Sequence, residues 1–392
     1  MKRPWVGFLT ALTLVTLFLP GIAQSQGAKA SPTAAPATPG PVTPTPVNAP
    51  KPGDKPVVPG PATVEATSSP SPSATPTDSA SNSTAIWVSD TDNGRILRLE
   101  DMTGKHLASF GYPGHGAGRL LEPCQIWVDA KGRIYIADKG NDRIVRIDDV
   151  TGKGWTVLEG YKAPEGVAVR GEQVFVADTG NNRIMVYDQM NGNLTRTITD
   201  IRIQKPTGLW FDEDNELYAC CGEDPPGGKV VRVVNVTDAD NSKWRVFDGQ
   251  GLKPTGFAPA QIVTQKDGIW IIDASSNRVV RIDNLEGRDA HEWGGYGSTV
   301  GRYVRPQGLA VDKNGNVYIA DTGNDRVVRF NASDPTKLTV WNGEIKEPHD
   351  ANTVNLRSPH SVFVWCPVTT PKPPEPKDKK KKEPKKDDKG KK

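Results

Sequence analysis

The sequence of 392 residues has few cysteines, few histidines and no long apolar run beyond its first 20 residues. Its four cysteines are too few and too scattered for a disulfide scaffold. Its five histidines show no H-x-H or H-x-x-x-H spacing, so spacing indicates no metal site and no cofactor is predicted. Because no second apolar run follows, the chain is not expected to be an integral membrane protein.

The amino terminus has the order of a secretory signal peptide. Lys2 and Arg3 precede an apolar run over residues 6–19, and small and polar residues follow around Ala23 and Ser25. The run is shorter than the roughly 20 residues that span a bilayer. Residues 1–25 are therefore predicted to be cleaved rather than kept as an anchor, which makes the protein secreted or periplasmic, or places it in the cell envelope.

Two flanking segments have compositions typical of disorder. Residues 26–83 consist mostly of Pro, Thr, Ser, Ala, Gly and Val and are predicted to form an extended linker. Residues 367–392 carry 11 lysines against 5 acidic residues, a net charge of +6. This tail is predicted either to bind an anionic envelope polymer or to act only as a solubilising tail. The segment between the flanks is mildly acidic, so no nucleic-acid partner is expected.

Between the flanks, one pattern recurs six times. Its clearest copies are RIYIADKGNDRIVRI at residues 133–147, QVFVADTGNNRIMVY at 173–187 and NVYIADTGNDRVVRF at 316–330. Copies from Ala85 and Gly268 are close relatives, and a copy from Glu216 is degenerate. The aligned positions lie 40 to 52 residues apart, at Asp90, Asp138, Asp178, Cys221, Asp273 and Asp321. That period is typical of propeller blades and exceeds that of leucine-rich repeats.

A proline-led apolar run precedes five of these copies and predicts the innermost strand of a blade. The runs are PCQIWV from Pro123, PEGVAV from Pro164, PTGLWF from Pro206, PAQIV from Pro259 and PQGLAV from Pro306. The first copy lacks such a run, whereas PHSVFVW at residues 359–365 has nothing after it. We therefore expect residues 362–365 to pair with residues 86–89, which closes the ring at six blades and leaves no free sheet edge.

The proline-led strand, the Y-x-A-D strand end, the T-G-N turn and the R-V-V-R-F strand resemble NHL repeats. The resemblance covers about 280 residues, 84–366, and implies an all-β fold, a six-bladed β-propeller closed by a C-terminal strand. Some NHL propellers bind RNA, and others work beside a RING domain, for which this sequence has no Cys/His array. Each repeated arginine follows an aspartate by five residues, so the pair is predicted to stabilise its hairpin rather than to bind phosphate.

A propeller has an upper face, where the loops before the innermost strands meet the turns between the second and third strands. Candidate ligand-binding residues around the channel on this face are Gln125, Glu165, Thr207, Gln261, Gln307 and His360. Long loops before Pro123, Pro306 and Pro359 feed the neighbouring blades 2, 6 and 1, and loops on a rigid scaffold are where binding residues collect. This raised edge adds His115, His349 and Asp350 as candidates.

These observations favour a monomeric, non-catalytic recognition scaffold that binds a protein, peptide or glycan. The alternative is a propeller lyase or hydrolase that uses His115, His349, Asp350 and His360, with a metal on the upper face as a further option. Propeller lyases that hold zinc with histidines from several blades have a related architecture. Only His360 resembles one of their ligand positions, because the other blades carry Gln, Glu or Thr there.

Two residue types allow further predictions. Tryptophans that fall in strands, such as Trp127 and Trp210, are expected in the core between blades rather than in a sugar platform. Cys124 and Cys366 would lie at opposite ends of innermost strands, too far apart to bond. Cys220 and Cys221 are left as either a vicinal disulfide or free thiols.

Overall fold

The computed structural model describes residues 84–104, 106–222, 227–234, 241–343 and 355–365, all within the unit Pro70–Lys392. The predicted signal peptide, linker and tail lie outside these residues, as do His349, Asp350 and Cys366. No helix within the described ranges is long and apolar enough to cross a membrane.

The described residues form six antiparallel sheets of four strands and one parallel pair of short strands. In chain order the strands are β1 (Ala85–Asp90), β2 (Arg95–Leu99), β3 (Ala108–Phe110), β4 (Tyr112–Pro113), β5 (Arg119–Leu120), β6 (Pro123–Val128), β7 (Ile134–Asp138), β8 (Arg143–Ile147), β9 (Thr156–Glu159), β10 (Gly166–Arg170), β11 (Gln173–Asp178), β12 (Arg183–Tyr187), β13 (Leu194–Ile198), β14 (Pro206–Phe211), β15 (Leu217–Cys221), β16 (Lys229–Val233), β17 (Arg245–Phe247), β18 (Pro259–Gln265), β19 (Gly268–Asp273), β20 (Arg278–Ile282), β21 (His291–Gly294), β22 (Gly308–Val311), β23 (Asn316–Asp321), β24 (Arg326–Asn331), β25 (Asp334–Trp341) and β26 (Pro359–Trp365).

Each four-stranded sheet is one blade, and its strands run in order from the innermost to the outermost. Blade 1 has the order β26-β1-β2-β3, and blades 2 to 6 are β6 to β9, β10 to β13, β14 to β17, β18 to β21 and β22 to β25. Short 3₁₀ turns join the second and third strands in four blades, at Thr91–Asn93, Lys139–Asn141, Thr179–Asn181 and Thr322–Asn324.

The ring closes as the sequence predicts. In blade 1 the C-terminal strand β26 pairs antiparallel with β1, with Trp365 opposite Ala85 and Val362 opposite Val88. Innermost strands of successive blades also contact each other around the whole circle, from β26 through β6, β10, β14, β18 and β22 back to β26. The prediction of six blades is therefore confirmed.

The hydrophobic core lies between the blades rather than inside one sheet. The described residues contain six buried clusters, each joining two neighbouring blades. Because every sheet is covered on both faces, second strands such as β1 and β19 are buried along their full length. Their Val, Ile and aromatic content suits strands that pack on two sides.

Candidate functional site

In five of the six blades a buried aspartate ends the second strand and fixes the upper face, and blade 4 has Cys221 there instead. In blade 6 the Asp321 carboxylate, which is not exposed to solvent, accepts hydrogen bonds from the backbone N–H of Val304 at 2.8 Å, Asn324 Nδ2 at 2.8 Å and Arg326 Nε at 2.7 Å. The first bond anchors the loop that leads into the blade, and the other two close the turn. Ion pairs at the same positions join Asp90 to Arg95, Asp138 to Arg143, Asp178 to Arg183 and Asp273 to Arg278. The predicted Asp–Arg hairpin pairs are confirmed.

The glycine of the T-G-N turn allows this loop to approach closely. In blade 6 the N–H of Gly323 donates to the carbonyl of Val304 at 2.8 Å. A Cβ atom on Gly323 would lie 2.8 Å from that same oxygen and 2.5 Å from Val304 Cγ1. A larger residue would therefore push the loop away from the turn.

The threonine of the turn joins one blade to the next. Thr322 Oγ1 of blade 6 donates to the carbonyl of Pro359 in blade 1 at 2.8 Å. Thr179 makes the same bond to Pro206, and Thr91 makes it to Pro123, both at 2.7 Å. Blade 2 has a lysine at this position instead, and Lys139 Nζ lies 2.8 Å from Glu165 Oε1 in blade 3.

In four blades the residue before the turn arginine makes a second link to the next blade. Its side-chain oxygen accepts from the N–H of the residue that precedes the leading proline of the next blade. The described pairs are Asp142 with Ala163, Asn182 with Lys205, Asn277 with Arg305 and Asp325 with Ser358, at 2.7 to 2.8 Å. In blade 1 this position is Gly94, which has no side chain to make the link.

Two long loops on the upper face are pinned by turn arginines. In blade 6 the guanidinium of Arg326 donates to the carbonyls of Ser298, Thr299 and Arg302 at 2.7 to 3.1 Å. In the equivalent loop before blade 2, Arg143 donates to the carbonyls of Gly116, at 3.0 Å, and Arg119, at 2.8 Å.

Both pinned loops present an exposed tyrosine. Tyr112 is 49% exposed and opposes Arg119 in the short parallel pair of β4 and β5. Tyr296 is 78% exposed and forms a parallel bridge with Tyr303, and Val300 in the same loop is 60% exposed. Blade 1 lies between the blades that these loops feed, so the two tyrosines flank it. Both loops carry G-Y followed by G-R, at residues 111–119 and 295–302, and this shared order was the available sequence signal for the pair.

Among the predicted ligand-binding residues, Gln125 is buried near the channel axis. Its Oε1 accepts from the N–H groups of Val167 and Leu209 at 3.1 Å each, and its Nε2 donates to the carbonyl of Leu209 at 2.7 Å. The side chain thus bonds to the innermost strands of blades 3 and 4 from blade 2.

The other predicted channel residues are buried or half-buried, and several have partners within the protein. Glu165 is buried against Lys139, and buried Thr207 donates to the carbonyl of Ala260 at 3.2 Å. Gln261 is buried, whereas Gln307 and His360 are half-buried where their innermost strands begin. A role of these residues in ligand binding stays a prediction.

The predicted histidine edge is only partly within the described residues. His115 is exposed, and its Nδ1 lies 2.5 Å from Asn141 Oδ1. His349 and Asp350 lie outside the described ranges. Among the residues that the structure describes, no group of three or more His, Cys, Asp or Glu side chains is placed to hold a metal ion.

The three described cysteines are buried in the blades. Cys220 and Cys221 form no disulfide in the structure, whereas the choice between a vicinal disulfide and free thiols stays a prediction. Burial raises the pKa of the Cys221 thiol to about 12 and that of Cys220 well above its usual value. Cys221 opposes Lys229 in the register where other blades pair Asp with Arg.

The chain enters and leaves the propeller at one place. Ala85 begins β1 and Trp365 ends β26, and the two residues are directly opposite in the sheet. Both lie at the lower face, because Asp90 at the other end of β1 and Pro359 at the start of β26 belong to the upper face. The segments before and after the propeller therefore start from the face opposite to Tyr112 and Tyr296.

Comparison with known proteins supports the fold. The NHL repeat family matches residues 304–330, and no curated protein matches the sequence. The chain is similar to a chain in the crystal structure of a nidogen/laminin complex, with 17% identity, a TM-score of 0.53 and coverage of 72% of this chain and 98% of that chain. A streptogramin B lyase structure has 16% identity and a TM-score of 0.49, with coverage of 72% and 86%. A catalytically inactive virginiamycin B lyase from Staphylococcus aureus, solved with quinupristin, has 14% identity and a TM-score of 0.46, with coverage of 69% and 87%.

At these identities the likeness to solved structures shows the fold alone. The matched family segment contains the leading Pro306, the buried Asp321 and the turn Arg326, which are the residues whose contacts build the upper face. The chain is therefore a six-bladed β-propeller that contains an NHL repeat.

Proposed function

We propose that this protein is an exported, non-catalytic recognition scaffold whose upper face binds a protein partner. The observation that carries the proposal is the pair of exposed tyrosines, Tyr112 and Tyr296, on loops whose backbones are fixed by buried arginines. Tyrosine is enriched at protein interfaces because its ring buries much apolar area while its hydroxyl keeps a polar contact.

Loop rigidity supports binding for an energetic reason. Ordering a mobile loop on binding costs conformational entropy, and a loop already held by several hydrogen bonds avoids most of that cost. The carbonyls of Ser298 and Arg302 are held by Arg326, and those of Gly116 and Arg119 by Arg143. The tyrosines are thus displayed in one arrangement.

The position of the chain ends fits this proposal. The described part of the propeller begins and ends at the lower face, where Ala85 and Trp365 are paired. An attachment through the linker or the tail would leave the upper face directed away from the attachment point. We propose that the Lys-rich tail tethers the protein to an anionic envelope polymer, since clustered lysines gain from attraction to polyanions. Deleting residues 367–392 should then release the protein from the envelope at low salt, and unchanged retention would refute the tether.

The upper-face proposal is tested with the mature full-length protein as bait in extracts of its native envelope. The double variant Tyr112→Ser/Tyr296→Ser removes both rings, and Leu194→Ser is the matched control because Leu194 is 50% exposed on an outermost strand. Proteins retained by the wild type and the control, and at least tenfold depleted with the double variant by quantitative mass spectrometry, are the expected result. Equal retention by all three forms would contradict the proposal, and retention of glycan but no protein would change the class of partner.

The lyase or hydrolase alternative is not favoured by any observation in the described ranges. His115 is hydrogen-bonded to Asn141. Of the four residues proposed for such an enzyme, His349 and Asp350 lie outside the described ranges.

A further inference from the structure

A concave site lies on the lower face, away from the residues of the proposed protein interface. It is a cavity of about 480 Å³ where the innermost strands of blades 2, 3 and 4 end, and we call it the lower-face pocket. Its walls include Trp127 and Trp210, and its rim includes Arg133, Arg170 and Glu172. Its volume is in the range of small-ligand sites.

Two tryptophans form the aromatic part of the pocket. Trp127 and Trp210 occupy the same position in their blades, four residues after the leading proline, and blade 3 has Ala168 there. Ala168 is fully buried in the core between blades 3 and 4. The two indole rings contact each other, with centroids 5.3 Å apart and planes at 57°.

The aromatic walls are held in place. Trp210 Nε1 donates to Thr264 Oγ1 of blade 5 at 3.1 Å. The Trp127 ring packs against Phe363 and Phe211, with centroids 5.5 and 6.4 Å away. Both tryptophans are nevertheless half-buried rather than fully buried, so part of each ring faces the pocket. A ligand would meet preformed aromatic surfaces.

The rim is a network of charged side chains. Glu172 pairs with Lys131 at 2.5 Å and with Arg133 at 2.9 Å, and Arg133 also pairs with Asp129 at 2.6 Å. Hydrogen bonds from Lys131 and Arg133 lower the pKa of Glu172, which keeps it ionised at neutral pH. Glu172 is 46% exposed and can accept further hydrogen bonds from a ligand. With Arg170, the rim has three cations against two carboxylates.

We propose that the lower-face pocket binds a neutral or acidic sugar unit, a monosaccharide or disaccharide of a larger glycan. The C–H face of a pyranose ring carries a weak positive charge and packs on the negative faces of the two indoles. Sugar hydroxyls donate to Glu172 and accept from Lys131 and Arg133, which gives the ligand its orientation.

The charge of the rim selects this ligand over a cation. Aromatic pockets also bind quaternary ammonium groups through cation–π attraction. Here the rim's three cations outnumber its two carboxylates, a net charge of +1 that disfavours such a ligand, and Arg170 already lies over the ring of Phe211, 5.3 Å from its centroid. The pocket does not depend on the upper face, so its test is independent of the proposed protein recognition.

The experiment blocks the pocket from its exposed edge. Ala130 is an exposed lining residue in the turn between β6 and β7, and Ala130→Trp should fill the mouth without altering the core. The matched control is Lys313→Trp, because Lys313 is exposed at the same turn position in blade 6 and lines no part of this pocket. Thermal unfolding of all forms checks that both variants fold.

Binding is measured on the mature full-length protein by saturation-transfer difference NMR and tryptophan fluorescence, with cellobiose, diacetylchitobiose, glucuronic acid and choline as probes. We expect at least one sugar to bind the wild type and Lys313→Trp equally, and Ala130→Trp to weaken that binding at least tenfold. The proposal is overturned if no sugar binds the wild type, if Ala130→Trp binds as well as the wild type, or if only choline binds.

Discussion

The side-chain Nε2 of Gln125 lies 2.7 Å from the carbonyl oxygen of Leu209, although the two residues belong to blades 2 and 4. The same amide accepts from the N–H groups of Val167 and Leu209. One buried side chain therefore links the innermost strands of three successive blades. Its polar atoms serve the propeller itself.

Replacing Gln125 tests this structural role. Gln125→Ala removes three hydrogen bonds and leaves buried polar groups without that partner, so we expect a loss of about 1 to 3 kcal/mol in the free energy of unfolding. Urea denaturation measures the change. Gln250→Ala is the control because Gln250 is exposed. Equal stability of both variants and the wild type would show that the bridge contributes nothing.

The buried aspartates of the upper face should contribute strongly to the stability of the propeller. Asp321→Ala leaves Arg326 without its carboxylate and frees the N–H of Val304, so we expect a loss of about 3 kcal/mol or more. The exposed Asp214→Ala is the matched control and should change stability by less than about 0.5 kcal/mol. Chemical denaturation measures both changes in the free energy of unfolding. Equally small changes for the two variants would contradict the stabilising role of the hydrogen bonds that Asp321 accepts on the upper face.

Repeats made most of the fold predictable. Because five of the six blades carry an Asp–Arg pair and every blade has a proline-led strand, the blade order, the hairpin pairs and the closing strand at residues 359–365 followed from the alignment of six copies. Contacts between different blades were not predictable in this way. The role of Gln125 depends on backbone groups of Val167 and Leu209, and nothing in its own repeat shows that they are near.

The candidate sites were only partly predictable for the same reason, because they depend on contacts between different parts of the chain. Tyr112 and Tyr296 stand in matching loops, yet their exposure depends on how Arg143 and Arg326 fold those loops. Trp127 and Trp210 were predicted as core residues, and the structure does pack them into the core. That both rings stay half-buried and line the lower-face pocket depends on how blades 2, 3 and 4 pack, which no single repeat shows.

The buried thiols should resist modification. A thiol must lose its proton to react with iodoacetamide, and burial raises the pKa of Cys221 to about 12 and that of Cys220 well above normal. In a Cys366→Ser background we expect no alkylation of the folded protein at pH 8.5 and three alkylated cysteines after unfolding. Intact mass spectrometry measures both, and a protein two hydrogens lighter that lacks two labels would instead reveal a Cys220–Cys221 disulfide.

Acid should weaken one loop of blade 4 in a defined range of pH. The side-chain hydrogen bond from Arg202 is the largest of the interactions that lower the pKa of Asp200 to about 2. The pKa of an aspartate in an unfolded chain is about 3.9. A lowered pKa means that this carboxylate stabilises the fold above about pH 4 and loses that contribution as the pH falls through about 2. Asp200→Asn should therefore lower Tm by about 2 to 4 °C at pH 6.

The difference between Asp200→Asn and the wild type should shrink between pH 4 and pH 2, as followed by thermal unfolding. The exposed Asp214→Asn should show no such trend. A Tm difference that stays constant down to pH 2 would mean that the Asp200–Arg202 pair does not carry the effect.

Closure of the ring by the last described strand determines where the described loops and both ends of the propeller lie, and an engineered disulfide tests it most directly. Ile86 and Val364 are directly opposite in the antiparallel pair of β1 and β26, whereas Phe363 points to the other side of the sheet. In a Cys366→Ser background, Ile86→Cys/Val364→Cys should form a crosslink on mild oxidation, detected as a linked peptide by mass spectrometry, and Ile86→Cys/Phe363→Cys should not. A crosslink in the second pair but not the first, or in neither, would contradict a propeller closed by its C-terminal strand.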